Sequence, residues 1–304
     1  MVQQTVLTRL ITSAPWVFVM LWSTGYVGAR FGLPYADPIT FTALRFGIVT
    51  VLLALLSIVR RVPLPRSGVM WLHLMVSGTL LHAVFIGCVF SAVGMGINIG
   101  VASLIAGAQP LLTAVLVLPM LGERLNARQW CGFAIGFAGI ALVVSKSFQL
   151  GTLDWTPLLL CVTALFAISI GTVYQKRFVV GTDLIAGSVV QFGTAAILCT
   201  GYAWLFEDGR LEWNLTLGLT LAWLCLVLSM GAILIFLYLV RAGAAARVSS
   251  LFYLVPPATA LQGYLLFGEA LSVQQMLGML VAAVGVAMIN LVPATTREAV
   301  RNDA

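Results

Sequence analysis

The chain has 304 residues, of which 61% are hydrophobic and 9% charged, with a formal net charge of +6. Ordinary soluble domains carry roughly 25% charged residues, so this composition excludes a water-soluble fold and fits a polytopic helical membrane protein with almost no extramembrane domain. The basic residues fall in ones to threes between apolar runs and form no stripe, which excludes nucleic acid as a partner and reads the positive charge as membrane topology.

A hydrocarbon core about 30 Å thick takes about 20 residues per helical crossing. Cutting the chain at Pro, Gly and charge clusters predicts ten spans, approximately 15–33, 38–58, 69–92, 98–118, 128–145, 155–174, 184–204, 214–240, 246–267 and 274–292. The first contains Trp16 and Trp22 and lacks a basic leader or an Ala-x-Ala exit, so a retained helix is expected rather than a signal peptide. Arg45 lies about two turns into the second span, where snorkelling toward the outer face or pairing with a helix C-terminus is expected in preference to substrate contact.

In the third span His82 stands near the centre, with Phe85 and Phe90 beyond it. An imidazole at that depth must face a cavity or a partner, and ligand contact and a neighbouring helix carbonyl are equal readings. Gly94, Gly96 and Gly100 mark the turn into the fourth span, where Gln109 precedes Pro110. An amide can donate and accept at once, as a zwitterionic amino acid requires, or can bond a neighbouring helix. Gly132-x-x-x-Gly136 in the fifth span permits close helix contact within the bundle or between copies, so a monomer or weak homodimer is expected. Phe166 and Ser169 are the candidates of the sixth span, although a serine can simply bond its own helix backbone. The ninth span carries Tyr253, Pro256 and Pro257. Trp22 and Tyr253 offer large faces with one polar edge, suited to stacking an apolar side chain.

Orientation follows from Lys and Arg. With the N-terminus inside, twelve of the sixteen fall on the cytoplasmic side, Arg30, Lys146 and Arg210 fall outside, and Arg45 lies within a span, which places both termini in the cytoplasm.

The segment from Ser103 to Leu125, with Pro110 and Gly122-Glu123, is echoed from Ser249 to Leu271, with Pro256 and Gly268-Glu269, at a constant offset of 146 residues. The register continues through Gly132 and Gly278, Gly139 and Gly285, and pairs Arg45 with Gln191. Each half holds an odd number of spans, so the second copy must be inverted. The expected fold is all-α, ten transmembrane helices as two inverted five-helix repeats, divided into 1–146 and 147–304. Inverted repeats are the architecture of secondary transporters, and matched Pro-interrupted spans point to a central site with Pro110, Pro256 and Pro257 at its kinks. Gly122, Glu123, Gly268 and Glu269 are expected to be structural.

Leu21-Trp22-Ser23-Thr24, Leu44-Arg45-Phe46, Pro110 with Leu121-Gly122-Glu123, and Pro256-Pro257 with Gly268-Glu269 together resemble EamA-type members of the drug/metabolite transporter superfamily. The resemblance implies efflux of amino acids or other small metabolites through the bacterial inner membrane. It also implies a cavity lined by the first, third, fourth, sixth, eighth and ninth spans. Trp22 and Tyr253 look like the aromatic amino acid exporters within that family, although Gln109 stands where that subgroup can carry an aromatic residue. The implied partners are a small-molecule substrate and the lipid bilayer.

Other classes have less support. The chain contains two His, no HExxH, no GxSxG and no phosphate-binding Gly-rich loop, which argues against an enzyme or an ATP-driven pump. Its five Cys lie inside apolar runs without metal-ligand spacing, so no metal or cofactor is expected. A non-transporting sensor or structural membrane protein is the rival of a different class. All ten acidic residues fall in loops or tails, which favours uniport over coupling to protons or sodium and leaves His82 as the one candidate proton carrier.

Overall fold

The structure, a computed structural model, describes residues 19–121, 127–149, 154–231 and 254–290. Among these the chain is helical apart from turns and one isolated bridge between Ala36 and Leu211. Helix α1 covers residues 19–32 and passes into a 3-10 turn at Leu33–Tyr35. It is followed by α2 Pro38–Val59, α3 Gly68–Gly94, α4 Ile99–Gly107, α5 Gln109–Leu121 and α6 Ala127–Gln149. Then come α7 Trp155–Phe178, α8 Leu184–Phe206, α9 Leu215–Met230, α10 Val255–Phe267 and α11 Val273–Asn290. Five stretches, α2, α3, α7, α8 and residues 127–145 of α6, are long and apolar enough to cross a membrane. At 1.5 Å per residue the 22 residues of α2 reach about 33 Å.

The helix ends follow local chemistry. Asp183, Asn98 and Asn214 each accept a backbone N–H from the first turn of the helix they precede, satisfying donors that have no partner within the helix. Pro38 occupies the first turn of α2, where its missing N–H costs nothing.

Two pairs of helices related by the 146-residue offset pack on one another, α2 along α8 and α6 along α11, and α4, the first half of the fourth span, packs along α10, the second half of the ninth. Their contacts run antiparallel, as inverted copies require. Gly100 abuts Ala260 while Gly107 abuts Pro256. Along the α6–α11 seam a Cβ on Gly139 would strike the backbone of Ala282, and one on Gly285 the backbone of Gly136. The Gly132-x-x-x-Gly136 face is therefore spent on contact inside the chain, where two backbones touch.

Each half also carries a π-helical turn. Thr79–Val84 interrupts α3 and Trp223–Met230 forms the second half of α9, and the two coincide under the same offset. No proline or charge marks either turn in the sequence.

One end of the bundle is tied by carboxylates. Glu207 at the end of α8 accepts the Ile39 and Thr40 N–H groups of α2 at 2.8 and 2.7 Å, and Asp37 takes Arg210 as ion-pair partner at 3.6 Å. Gly268 sits at φ 67°, a left-handed conformation that suits glycine, and its N–H returns to the Tyr264 carbonyl. That turn carries Glu269 to the start of α4, where it accepts the Ile99 N–H at 3.0 Å and pairs with Arg30 at 3.6 Å. Burial pushes the Glu269 carboxyl upward, opposed by the Ile99 N–H and Arg30. The Gly-Glu pair thus ties one repeat to the fourth span of the other. Its counterpart, Gly122-Glu123, lies outside the described residues.

Candidate functional site

The fourth span is discontinuous. α4 ends at Gly107, Ala108 forms a one-residue turn with near-helical dihedrals (φ −74°, ψ −4°), and α5 starts at Gln109, so Pro110 sits in the first turn after the interruption. Proline fits there because a first-turn N–H has no partner within its helix. Pro256 occupies the equivalent position at the start of α10. The two sites meet, since a Cβ on Gly107 would press against the Pro256 ring. An apolar cleft opens beside the contact, lined by Gly107, Ala108, Leu111, Pro256, Pro257 and Ala282 among others.

Beside the break, the Gln109 side chain donates to the Thr172 hydroxyl of α7 at 2.9 Å, which makes it an interhelical bond in this structure. On the same two helices, the hydroxyls of Thr113 and Ser169 are buried with no hydrogen-bond partner among the described residues. Ser169 is 0% exposed, and the expected bond to its own helix backbone is absent. A buried unsatisfied hydroxyl costs about 1–3 kcal/mol, so such groups mark where water or ligand is needed.

Phe166 departs from expectation. It is 47% exposed and shares a stripe with exposed Leu159 and Thr163, about 60° round the helix from Ser169, which is one of the residues α7 buries. An almost uniformly apolar helix contains little to reveal its rotation from sequence. Phe85 is buried in the core, and Trp22 is half-buried against it. Tyr253, two residues before α10 in the sequence, lies outside the described residues.

A second polar group lies where α2 and α8 cross. The Gln191 amide donates to the Ser77 hydroxyl of α3 at 2.8 Å and to Gln175 of α7 at 3.2 Å. Gly78 lets the α8 backbone approach, since a Cβ there would strike Gln191. His82, on the π-turn of α3, stacks on Phe192 with centroids 4.1 Å apart and meets the edge of Phe46 at 6.0 Å. Phe46 and Phe192 are themselves an offset pair, 5.6 Å apart. Ser169, Thr172 and Gln175 recur every third residue along α7, so this helix carries polar groups toward Gln109 on one side and Gln191 on the other. Sequence reasoning missed Ser77, Thr172, Gln175 and Ser229. The offset that pairs Arg45 with Gln191 points to α2 and α8 but not to these partners on α3, α7 and α9.

Arg45 does not snorkel. It is 6% exposed, and its guanidinium donates to the Ser229 hydroxyl on the π-turn of α9 at 3.3 Å. It also stands 5.8 Å from the centres of both the Phe46 and Phe90 rings. Its Nε has no hydrogen-bond partner among the described residues. Cation–π contacts contribute about 0.5–2 kcal/mol, whereas burying an unpaired ion costs several kcal/mol. Neutral neighbours therefore do not balance this charge. A salt bridge is the usual remedy, and those of Arg30 and Arg210 lie at the tied end of the bundle, away from Arg45.

No three His, Cys, Asp or Glu come together among the described residues. The arrangement offers hydroxyls, amides, one imidazole and one cation at mid-bundle, which suits reversible binding of a polar group beside apolar surface.

Comparison with known proteins agrees with this architecture. The EamA-like transporter family matches the chain twice, over residues 15–145 and 155–291. The chain is 25% identical to the uncharacterized transporter YvbV of Bacillus subtilis over 275 residues, covering 90% of this chain and 88% of YvbV. It is 26% identical to the uncharacterized inner membrane transporter YedA of Escherichia coli over 272 residues, covering 90% of this chain and 88% of YedA. A protein named as a probable amino-acid metabolite efflux pump of Escherichia coli is 25% identical over 295 residues, covering 93% and 95% of the two chains. A protein of known crystal structure shares the fold, with a TM-score of 0.63 at 22% identity over 92% of this chain and 98% of its own.

Proposed function

The chain belongs to the EamA-like transporter family, matched over both halves, and from that premise we propose that it exports amino acids or similar small metabolites across the bacterial inner membrane by alternating access. The observation that carries this reading is the broken fourth span meeting Pro256, flanked by the unsatisfied hydroxyls of Thr113 and Ser169. Irregular backbone at membrane depth is tolerated where it lines a cavity or is buried in protein, and paired discontinuous helices in two repeats mark transporter sites. The name of the efflux pump relative supports amino acids as the substrate class.

In the proposed cycle the two repeats rock about α2 and α8, and the break at Ala108 and the start of α10 act as gates. The substrate's apolar part lies against Trp22 and Tyr253, with Phe85 behind them. Its polar part meets Gln109, Ser169 and His82. Uniport is the mode best supported, because the described acidic residues lie in turns, loops or helix ends and offer no mid-bundle carboxylate to carry a proton.

The test is uptake of radiolabelled threonine, methionine, leucine, phenylalanine and tryptophan into proteoliposomes of purified protein, with and without an imposed proton gradient. Saturable uptake that only equilibrates is expected. Accumulation driven by the gradient in wild type and lost in His82→Ala would replace uniport with proton coupling. No uptake of any of the five would remove amino acids as the substrate class.

A further inference from the structure

We propose that Arg45 is the anchor for a carboxylate, so that the transported molecule brings into the bundle the counter-charge that no described residue supplies. The inference rests on the transport reading and names the substrate group that reading leaves open.

Three observations converge on it. Arg45 is buried at 6% exposure, yet its Nε has no partner among the described residues and its one hydrogen bond goes to a neutral hydroxyl. Seven of the ten acidic residues are described, and Asp37, Asp154, Asp183, Glu207, Asp208, Glu212 and Glu269 all lie in turns, loops or helix ends. Glu123, Glu298 and Asp303 fall in the sequence at a loop and the C-terminal tail. The third observation is the surroundings. Arg45 bonds the π-turn of α9, and Phe46, next to it in sequence, meets His82 on the π-turn of α3. π-Turns are the places where a helix can shift its register, and they recur at functional sites.

The inverted copy sharpens the point. At the equivalent position Gln191 does the same mechanical work, reaching across to a serine on the matched helix, with no charge at all. Bridging the helices therefore does not require a guanidinium. A guanidinium is suited instead to a planar carboxylate, because its fork presents parallel N–H donors to the two oxygens. Phe46 and Phe90 would close over the ion pair and keep water from it. The class of ligand is a small organic anion or zwitterion with a free carboxylate; an amine lacking that group is excluded.

The experiment compares leucine with its two half-analogues, isoamylamine and 4-methylvalerate, as competitors of radiolabelled leucine uptake in proteoliposomes. Thermal stabilisation of detergent-purified protein by the same three compounds is read in parallel. Wild type is expected to be inhibited and stabilised by leucine and 4-methylvalerate and at least tenfold less by isoamylamine. Arg45→Gln is expected to raise the leucine KM at least tenfold with the carboxylate preference gone, and Arg45→Lys to keep part of that preference. Equal inhibition of wild type by isoamylamine and leucine would overturn the proposal, even if Arg45→Gln fails to fold. An unchanged KM and preference in Arg45→Gln would overturn it as well. Absence of leucine uptake in wild type would instead strike the amino acid reading. The stabilisation series would then decide the anchor, with no preference for carboxylates ending it.

Discussion

Arg45 and Gln191 occupy the same place in the two halves of the chain, on α2 and α8, and the difference between them separates frame from function. Both helices pack together, both residues are buried, and each donates to a serine on the helix that bears the other half's π-turn. Gln191 is also held by Gln175, and its neighbour Phe192 stacks on His82. Arg45 has Ser229 and two aromatic rings, with its Nε unpartnered. The scaffold is repeated while the chemistry is not. A transporter needs this, since symmetric halves exchange conformations and an asymmetric lining holds one substrate in one orientation.

The severest way to break the comparison is to charge both positions. Gln191→Arg would bury a second unpaired cation near the first, and a loss of several kcal/mol is expected, seen as failure to yield monodisperse protein. Next comes the frame itself. Gly139→Val and Gly285→Val should each overpack the α6–α11 seam by about 3 kcal/mol, and the comparison requires the two to be similar. Thermal unfolding in detergent checks this, and a large loss in one with none in the other would deny the matched seam.

Smaller effects on folding, with large effects on flux, are expected inside the proposed cavity. Trp22→Ala and Tyr253→Ala should cut transport at least tenfold while folded protein is still recovered. Unaltered flux in both would remove the apolar side of the site. The smallest effect is at the tied end of the bundle. Glu269→Gln keeps an acceptor for the Ile99 N–H and loses the partly exposed pair with Arg30, so stability should change by no more than about 1 kcal/mol. A larger loss would mean that the charge at the start of α4 is part of the frame.

The route from sequence to structure was direct where one residue type dictates local geometry. Asn98, Asp183 and Asn214 announce helix starts because their short side chains reach backbone N–H groups. Gly268 announces a turn because its φ is left-handed, and Glu269 follows it to a helix N-terminus. Reading was poorer where rotation matters. Phe166 and Ser169 are three residues apart on an apolar helix, and the side each faces depends on what packs against it. Snorkelling or pairing with a helix C-terminus is the sequence's expectation for Arg45 because the sequence does not reveal that Phe46, Phe90 and Ser229 surround it. Pro110 marks the place, and the interruption itself falls two residues earlier, at Ala108.

What the sequence determined by itself is the membrane-embedded helical class, the duplication at 146 residues and the location of the interruption before Pro110. These follow from composition, spacing and backbone chemistry that act within a few residues. Only the tertiary structure decided which faces meet, that both halves carry a π-turn, and that Gln191 has its partners while Arg45 has no counter-charge among the described residues. In a chain this apolar nearly every helix face is equally greasy, so orientation is set by side-chain packing and hydrogen bonds between distant segments, which no local pattern encodes.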